Sequence, residues 1–405
     1  MSDDKPPTGI ALSALDPTFR DHPSLYIDQL RSEEPVHQDR EFDRIVLTRA
    51  EDIESVLNDR KLAKDPRKSR PGSFARVIER VDDDYKPTML FADPPDHKRL
   101  RDLVSKAFNQ QSVDAIRPRI VEIGNRLLDE IPDPDRFDVI EAYANPLPTI
   151  VIAAMLGIDD KDREDFKHWS DSQVIGFNPR RTVEETAVLV AGRKALNEYF
   201  ARIIDQRRKE RGSDLISNLI SAEEVGQKLT EREIVDVCIL LLIAGNVTTT
   251  DLIGNAVLAL INNPEERDKL TTRPELIRDA VEEVLRYDSP VVNATRIATK
   301  PMQMGGVDIG EGQSITTLLF GANHDPAAHP NPEKFDIERQ DKKHSSFGGG
   351  IHYCLGAPLA RVEAQIAIPL LLTRFPKLRL MAGHHPMRKS LPSFNGLEAL
   401  WVDTD

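Results

Sequence analysis

One of the two cysteines of the chain lies in a glycine-rich segment, FGGGIHYCLG, at residues 347–356. The segment that follows, LGAPLARVEAQIAIPLLLTRF, has the apolar periodicity of a helix, so Cys354 is expected at a helix N-terminus. Backbone N–H groups and the helix dipole favour a thiolate there. A thiolate approached by bare backbone is suited to ligating a metal carried in a broad planar cofactor. The glycines on either side of this cysteine are Gly348, Gly349, Gly350 and Gly356.

The alternative for such a cysteine is a buried structural thiol in a tight turn. Cys238 fits that alternative, because it falls on the apolar face of a long predicted helix, and we assign it to the core. Two cysteines cannot form a disulfide framework, which favours a reducing cytoplasm.

Helical periodicity dominates the remaining sequence. The longest predicted helix begins at a capping box formed by Thr230 and Glu233 and stops at Asn263, which gives about 32 residues, far longer than an average helix. Its middle is apolar almost all round, so it is expected to run through the centre of the protein. Four further segments with three- and four-residue apolar spacing are predicted helices, at 96–109, 111–131, 182–211 and 274–287.

Strand-like segments are short, and no repeat or flexible linker marks a domain boundary. The predicted fold class is therefore mainly α with a small β part, in a single domain over 1–405. The predicted strands are 43–48, 293–299, 313–320 and 397–402. The β-rich part is expected mainly at 36–60, 293–320 and 378–403, and the helix-rich part at 96–287 and 355–375.

The composition excludes several classes of protein. A formal net charge of -13 disfavours nucleic-acid binding by the molecule as a whole. The N-terminal segment MSDDKPPTGIALSALDPTFR has acids where a signal peptide needs positive charge. No apolar run reaches the roughly 18 residues that a membrane span requires. We expect a cytoplasmic protein that binds neither nucleic acid nor membrane.

The string FGGGIHYCLGAPLAR, residues 347–361, resembles the haem-binding signature of the cytochrome P450 family. The resemblance implies that Cys354 is the metal ligand, a thiolate bound to the iron of haem b (iron protoporphyrin IX). It also implies that His352 hydrogen-bonds a haem propionate and that Phe347 packs beside the thiolate. The implied fold is triangular, with the haem between the long central helix and the helix after the cysteine loop. The other cofactor-binding positions of the loop are Gly348 and Gly356.

The segment EEVLR places Glu283 and Arg286 three residues apart on one helix face. Such a pair alone is usually a solvated surface pair, but here it resembles the buried Glu–Arg pair of the family, which braces the proximal side. A third partner often comes from an arginine shortly before the cysteine loop. Arg339 is the better candidate and Lys334 the weaker one.

The segment DPPDHKRLRDLVSKAF carries His97 and Arg101 four residues apart. Taken alone, they would be exposed charge on a helix. In soluble bacterial members of the family such a pair binds a haem propionate, and Arg296, after the Glu–Arg helix, matches a further propionate contact. Two buried propionates need cationic or hydrogen-bonding partners of this kind.

The segment AGNVTTT in the long helix resembles the oxygen-binding segment of the family. The resemblance assigns Thr248 to the threonine that helps to hold dioxygen and organise water for protonation. It implies that Gly245 leaves room for the ligand and that Ala244 faces the haem plane. The alternative for a threonine in a helix is a hydroxyl bonded back to a carbonyl one turn earlier.

Val247 occupies the position where the family has an acidic residue, and a valine cannot relay protons. Asp251, one turn further on, either substitutes for it or serves as a structural salt-bridge partner. We expect slow or poorly coupled turnover, or a water chain anchored by Thr248 and Asn246.

The implied reaction is monooxygenation, in which one atom of O2 enters a C–H bond and the other becomes water. No nucleotide fingerprint and no four-cysteine cluster is present, so the electrons must come from other proteins. An acidic iron–sulfur ferredoxin with its NAD(P)H-dependent reductase is the expected donor. Its basic contacts, each of which could equally be solvated surface, are Lys98, Arg99, Lys342, Lys343 and Arg361.

The pocket segments implied by the resemblance are mostly small or apolar, which favours a small to medium lipophilic substrate. Arg76 and Arg80 could hold a carboxylate or face solvent. The predicted wall residues are Val291, Val292, Ala294, Phe394 and Leu240.

Two alternatives remain because of Val247. One is a peroxide-driven haem-thiolate peroxygenase, which bypasses the proton relay. The other is a haem protein that binds ligand without turnover.

Overall fold

The structure is a computed structural model that describes residues 6–158, 162–224 and 229–405. The first five residues of the N-terminal segment considered for targeting lie outside the described residues. In chain order the α-helices are α1 (Pro17–Asp21), α2 (Pro23–Glu33), α3 (Ala50–Asn58), α4 (Phe74–Glu79), α5 (Asp96–Ser105), α6 (Gln110–Asp129), α7 (Pro146–Leu156), α8 (Arg163–Val174), α9 (Val183–Lys209), α10 (Leu215–Glu224), α11 (Glu231–Asn262), α12 (Pro264–Thr272), α13 (Ile277–Tyr287), α14 (Leu319–Asn323) and α15 (Ala357–Arg374). The strands are β1 (Val36–Asp39), β2 (Arg44–Leu47), β3 (Arg136–Asp138), β4 (Asn293–Ile297), β5 (Met302–Met304), β6 (Val307–Ile309), β7 (Ser314–Leu318), β8 (Arg379–Leu380) and β9 (Trp401–Asp403).

The five predicted helices occur as α5, α6, α9, α11 and α13, and the mainly α fold class is confirmed. The helix α11 has 32 residues. Its predicted capping box is present, because the Thr230 N–H donates to Glu233 Oε2 at 2.8 Å and the Glu233 N–H donates to Thr230 Oγ1 at 3.3 Å. Local apolar spacing and capping therefore predict the long helices of this chain well.

Two predicted strands are too long. The segment 313–320 yields β7, but its last two residues, Leu319 and Phe320, begin α14. The segment 397–402 yields only the start of β9, since Leu397 forms an isolated bridge to Arg388. An apolar run cannot show by itself which of its residues find a strand partner, because sheet partners come from distant parts of the chain.

The described chain divides into two compact units. The first unit contains 1–86, 258–354 and 387–398. Its main sheet has the order β1-β2-β7-β4, in which β2 and β7 are parallel and the other pairs antiparallel. Apolar residues of β2, α3 and β7 form the core against this sheet. The unit carries α13, β4 and the loop that ends at Cys354.

The second unit contains 87–257, 355–386 and 399–405. In it α15 packs against α6, and the Tyr143 hydroxyl donates to the Ala367 carbonyl at 3.0 Å. A Cβ at Gly124 of α6 would lie 2.9 Å from Leu370 Cδ1, so this glycine permits the close packing of the two helices. The unit also holds α5 and most of α11. The single domain expected over 1–405 stays a prediction.

Among the described residues, α11 is the one helix long and apolar enough to cross a membrane by length and composition. Within its most apolar window 72% is buried in the protein. Burial of this kind is typical of the core helix of a globular protein, so α11 gives only weak evidence for a membrane span.

Candidate haem-thiolate site

The loop before Cys354 turns at two glycines. Gly348 and Gly350 have φ values of 66° and 64°, a region that favours glycine. The Cys354 N–H donates to the Phe347 carbonyl at 2.9 Å, which closes the loop. The Cys354 side chain is exposed, whereas Cys238 is buried in α11. Burial raises the pKa of the Cys238 thiol well above its usual range, so Cys354 is the better metal ligand of the two.

The glycines of this loop have different roles. A Cβ at Gly350 would lie 2.5 Å from the Leu57 carbonyl oxygen, and one at Gly349 would lie 3.0 Å from Leu57 Cβ. The Gly350 N–H donates to Asn58 Oδ1 at 3.0 Å. These two glycines therefore allow the loop to pack against the end of α3. The missing side chains of this pair are thus explained by the packing of the loop on α3.

The other two glycines of the loop have open space around them. A Cβ at Gly348 or at Gly356 would meet nothing within 4 Å. Gly348 needs its positive φ, but Gly356 has φ of -80° and ends the loop as the N-cap of α15. Gly356 is thus the loop position where a glycine is required neither by φ nor by a close protein neighbour.

Arg296 on β4 lies beside the cysteine loop and is buried. One of its Nη atoms donates to the carbonyls of Leu57 and Gly349, both at 3.2 Å. His352 is half-buried in a 3-10 turn two residues before Cys354. An exposed thiol with a guanidinium and an imidazole on the same loop region matches what a haem requires, a thiolate for iron and donors for propionates. The residues present fit this cofactor.

The Phe347 ring is half-buried and lies between two other rings of the loop. Its centroid is 6.1 Å from that of Tyr353 and 5.6 Å from that of His344. The ring therefore packs with both of these rings, in the loop whose backbone carries Cys354.

Glu283 and Arg286 on α13 form a fully buried pair. Arg286 donates from Nε to Glu283 Oε2 at 2.8 Å and from Nη2 to Oε1 at 2.9 Å. Arg339 donates from Nε to the same Oε1 at 3.2 Å, so it is the third member of the cluster. Lys334 directs its ammonium group to Asp336 at 3.1 Å instead. The choice of Arg339 over Lys334 is confirmed.

The remaining donors of Arg286 bind backbone carbonyls. Nη1 donates to the carbonyls of Asn323 at 3.0 Å and Pro332 at 2.9 Å, and Nη2 donates to that of Lys334 at 3.2 Å. A buried guanidinium is stable only when its donors are satisfied in this way. The cluster thus ties α13 to α14 and to the segment after it.

In the second unit, one stripe of α11 is less buried than its surroundings. Leu240 and Thr248 are half-buried and Ala244 between them is exposed, in a stretch that is otherwise mostly buried. The Thr248 hydroxyl donates to the Ala244 carbonyl at 2.7 Å, as expected for a threonine bonded back one turn. This stripe could accommodate a flat ligand.

A side chain at Gly245 would not point to the same side of α11 as this stripe. A Cβ at Gly245 would lie 3.5 Å from Ile152 Cγ1 on α7. A side chain at this position would therefore point towards α7, and the absence of one makes room on that side. The expected role of Gly245 is to leave room for the ligand.

The residues around the missing acid are buried. Val247 is 5% exposed and Asp251 1% exposed. Asn246 is also buried, and its Oδ1 accepts from Thr250 Oγ1 at 3.3 Å. Within the described residues Asn246 Nδ2 has no hydrogen-bond partner. A non-titrating valine and an amide donor therefore stand where the family has an acid.

His97 and Arg101 lie on one face of α5, His97 buried and Arg101 half-buried. Arg99 points elsewhere and binds Glu233 of α11 with Nη2 at 2.5 Å from Oε1. Lys98 pairs with Asp102. Arg99 therefore has a structural partner, which weakens its assignment to a docking surface.

The other candidates for the docking surface also differ in whether they have an ion-pair partner. Lys342 binds Asp279 at 2.5 Å. Lys343 is exposed and has no ion pair within the described residues, while Arg361 is half-buried on α15. Lys343 is thus the one lysine of the predicted set that has no ion pair among the described residues.

The predicted pocket residues of the first unit are neighbours. Val291 and Phe394 form an isolated antiparallel bridge, and the Val292 N–H donates to the Ser393 carbonyl at 3.1 Å. Val291 and Ala294 are half-buried against the sheet core, whereas Val292 and Phe394 are buried.

Arg76 and Arg80 lie near one end of α4. Arg76 donates from Nη1 to the Ser69 carbonyl at 3.3 Å. Arg80 is exposed and ends α4 with a left-handed φ of 45°. Arg76 is thus tied to the segment before α4, and Arg80 is its C-cap.

Two polar residues that contact the cysteine loop were not singled out from the sequence. Asn58 binds Gly350, and Asn323 binds the backbone of Ser345, whose N–H donates to Asn323 Oδ1 at 2.7 Å. Asparagines at the end of a helix are common, so only the fold reveals these contacts. Together with the mainly helical fold, the loop defines a haem-thiolate protein.

Comparison with known proteins identifies the family. Residues 37–394 match the family model described as Cytochrome P450. The chain is 40% identical over 385 residues to Cytochrome P450 107B1 of Saccharopolyspora erythraea, covering 91% of this chain and 92% of that protein. It is 38% identical over 372 residues to the Vitamin D(3) 25-hydroxylase of Pseudonocardia autotrophica, covering 90% and 89%. The chain belongs to the cytochrome P450 family.

A solved structure agrees. P450BioI in complex with hexadec-9Z-enoic acid ligated acyl carrier protein matches with a TM-score of 0.87 and 36% identity, covering 96% of this chain and 100% of that one. The predictions of family and fold are confirmed. The protein is a monooxygenase with a haem-thiolate cofactor, which uses O2, an organic substrate and redox partners.

Proposed function

We propose that this monooxygenase hydroxylates a small to medium lipophilic substrate in the cytoplasm. Electrons would come from an acidic iron–sulfur ferredoxin and its NAD(P)H-dependent reductase, and the cofactor would be haem b. The observation that carries the proposal is the exposed Cys354 thiol on a loop whose Gly349 carbonyl accepts from the buried Arg296 guanidinium. The two residues offer the iron ligand and a counter-ion for that cofactor. The relatives named for vitamin D(3) and for an acyl-carrier-bound fatty acid support a lipophilic substrate.

The residues assigned to the cofactor act by charge and ligation. Cys354 would bind the iron, and His352 and Arg296 would donate to propionates, as would His97 and Arg101 of α5. When bound, the haem supplies the one-electron and O2 chemistry. Phe347 would pack beside the thiolate, since its carbonyl accepts from the Cys354 N–H in the same loop.

Thr248 would hold a water molecule by accepting a hydrogen bond from it. Its hydroxyl proton is already donated to the Ala244 carbonyl, so its remaining lone pairs are acceptors. The Nδ2 group of Asn246, two residues before Thr248 in α11, has no hydrogen-bond partner among the described residues and would hold a second water. Ala244, next to Thr248 on the stripe, would allow a planar group to approach the helix.

The substrate would be enclosed by side chains without charge. Val291, Ala294 and Leu240 are half-buried and apolar, so each can still cover a ligand. Val292 and Phe394 are buried, and Phe394 forms a bridge with Val291. Burial of apolar ligand surface at about 25 cal/mol per Å² would supply much of the affinity. Titrating the ferric protein with lipophilic compounds and recording the high-spin shift would narrow the substrate class.

A second function is a peroxide-driven peroxygenase, and the buried Val247 is the observation that favours it. Peroxide brings both oxygens and their electrons, so such turnover needs no proton relay at this position. Measuring turnover with reduced ferredoxin and with peroxide separates the two functions. Absence of turnover with both would favour the third possibility, a haem protein that only binds ligand.

Matched cysteine variants test the site. Cys354→Ser should remove the thiolate signature from the ferrous–CO spectrum, because a hydroxyl does not replace a thiolate ligand. Cys238→Ala should keep the signature, since that thiol lies in the core. A normal thiolate spectrum in Cys354→Ser would contradict the proposal.

A further inference from the structure

The segment just before the glycine turns, residues 344–346, is held by polar side chains from α13 and α14. This segment lies outside the haem-binding signature. All its contacts described here lie within the first unit. These contacts hold the start of the loop, and Cys354 lies at the end of the same loop.

His344 is held at both ring nitrogens. Its side chain is 4% exposed. Nδ1 lies 3.2 Å from the backbone N of Ser346, and Nε2 lies 3.1 Å from Glu282 Oε2. A backbone N–H can only donate, so Nδ1 must accept and the ring proton must be on Nε2, which donates to Glu282. The contacts thus select one neutral tautomer.

Asn323, at the end of α14, binds the two residues that follow His344, namely Ser345 and Ser346. Its Oδ1 accepts from the Ser345 N–H at 2.7 Å, and its Nδ2 donates to Ser346 Oγ at 2.8 Å. Ser346 Oγ in turn donates to the Leu285 carbonyl of α13 at 2.5 Å. The Asn323 side chain is fully buried, where unpaired polar groups are costly.

The same elements carry the Glu283 cluster. Arg286 donates to the Asn323 carbonyl at 3.0 Å, so one residue of α14 joins the buried ion pair to the loop. The His344 ring also lies 5.6 Å from the ring of Phe347, whose carbonyl accepts from the Cys354 N–H. A displacement of His344 or Asn323 would therefore reach Cys354 through short contacts.

We propose that His344, in its Nε2–H tautomer, and Asn323 are positioning residues that fix the cysteine loop on α13 and α14. They act on the thiolate through Ser346 and Phe347 and do not touch the substrate or the cofactor. The inference rests on the proposed ligation of haem by Cys354.

Two substitutions of His344 separate its two contacts. In His344→Asn the amide oxygen takes approximately the place of Nδ1 and can still accept from Ser346. In His344→Gln the amide nitrogen takes approximately the place of Nε2, so the bond to Glu282 is kept and the acceptor for Ser346 is lost. The exposed His385 provides the matched controls, His385→Asn and His385→Gln.

The readout is the ratio of thiolate-ligated to thiolate-free ferrous–CO complex in a mild urea series on the purified holoenzyme. His344→Gln should raise the thiolate-free share about tenfold, the effect of losing one buried hydrogen bond. His344→Asn should change it much less, and the His385 variants should match the wild type. Equal effects of the two His344 variants, or none from either, would overturn the inference.

The tautomer gives a test that does not depend on the stability of His344→Gln. In the diamagnetic ferrous–CO complex with 15N-labelled histidine, the signal absent from His344→Asn should show protonation at Nε2 alone. Protonation at Nδ1 or at both nitrogens would refute the inference. A wild-type protein without any thiolate signature would instead refute the proposed function, so the two failures are distinguishable.

Discussion

The Arg339 guanidinium donates to Oε1 of Glu283 at 3.2 Å, on the same oxygen that Arg286 reaches at 2.9 Å. The Asp336 N–H donates to this oxygen as well, at 2.9 Å. One buried carboxylate therefore joins two segments, α13 and the segment 336–339 that follows α14. Its charge is balanced by two guanidinium groups, and removing it leaves both without their counter-ion.

Glu283→Gln should lower the free energy of unfolding by about 3–5 kcal/mol, because it leaves a buried arginine charge uncompensated. Urea unfolding of the holoenzyme measures this value. Glu275→Gln, at an exposed position near the start of the same helix, should change it by less than about 0.5 kcal/mol. Similar unfolding midpoints for the two variants would contradict a bracing role for Glu283.

The sequence predicts those parts of the site that depend on local spacing. Glu283 and Arg286 are three residues apart on a helix, so their pairing follows from helix geometry. The contact of Arg339 follows only from its place shortly before the loop and from the resemblance. The contacts of Asn323 and His344 could not be predicted, because they depend on how α14 and the loop are brought to α13.

The glycines of the loop show the same limit. Gly349 and Gly350 carry the same local signal as Gly348, yet their missing side chains allow contact with Leu57 of α3, almost 300 residues earlier in the chain. A sequence motif indicates that glycine is needed but not which neighbour requires it. The misassigned strand at 397–402 has the same cause, since strand pairing is decided by distant partners.

Glu363 on α15 should make the stability fall as pH rises. It is 2% exposed, and its Oε2 has no hydrogen-bond partner among the described residues. Burial raises the pKa of the Glu363 carboxyl well above its usual range. The neutral carboxyl stabilises the fold fully below the unfolded pKa of about 4.3, and this contribution is lost as the pH rises through the folded pKa.

The neutral isostere Glu363→Gln should remove this dependence. The difference in unfolding free energy between Glu363→Gln and the wild type should then grow by up to about 1.4 kcal/mol per pH unit between the two pKa values. Urea unfolding at a series of pH values checks it, with Glu275→Gln as the control. A difference that stays constant with pH would show that Glu363 is ionised in the folded protein.

Lys343 and Arg99 should behave differently towards the electron donor. Lys343→Ala should slow reduction by an acidic ferredoxin several-fold at low ionic strength and hardly at high salt, because an exposed charge acts by steering. Arg99→Ala should lower stability through the loss of its ion pair with Glu233, with the salt dependence of reduction kept. Stopped-flow reduction over a salt series measures both. An unchanged salt slope in Lys343→Ala would exclude this lysine from the docking surface.

Val247→Glu should restore proton delivery at the buried position next to Thr248. Burial raises the pKa of a carboxyl, so the new group would hold a proton near neutral pH and could pass it on. NADH consumption, or product formed per NADH, should rise about tenfold. This gain is below the rate enhancement that general acid catalysis typically gives, about a hundredfold or more. Peroxide-driven turnover should stay unchanged, since it does not use this path.

The control for that substitution is Val247→Gln, which has the same size and polarity as the glutamate but no titrating proton. If Val247→Gln gave the same rise as Val247→Glu, the gain would come from water admitted to a polar site and not from proton transfer. If neither variant changed NADH consumption or coupling, Val247 would not limit proton delivery. The amide of Asn246 and the hydroxyl of Thr248 would then be sufficient to organise it, which variants of those two residues would test in turn.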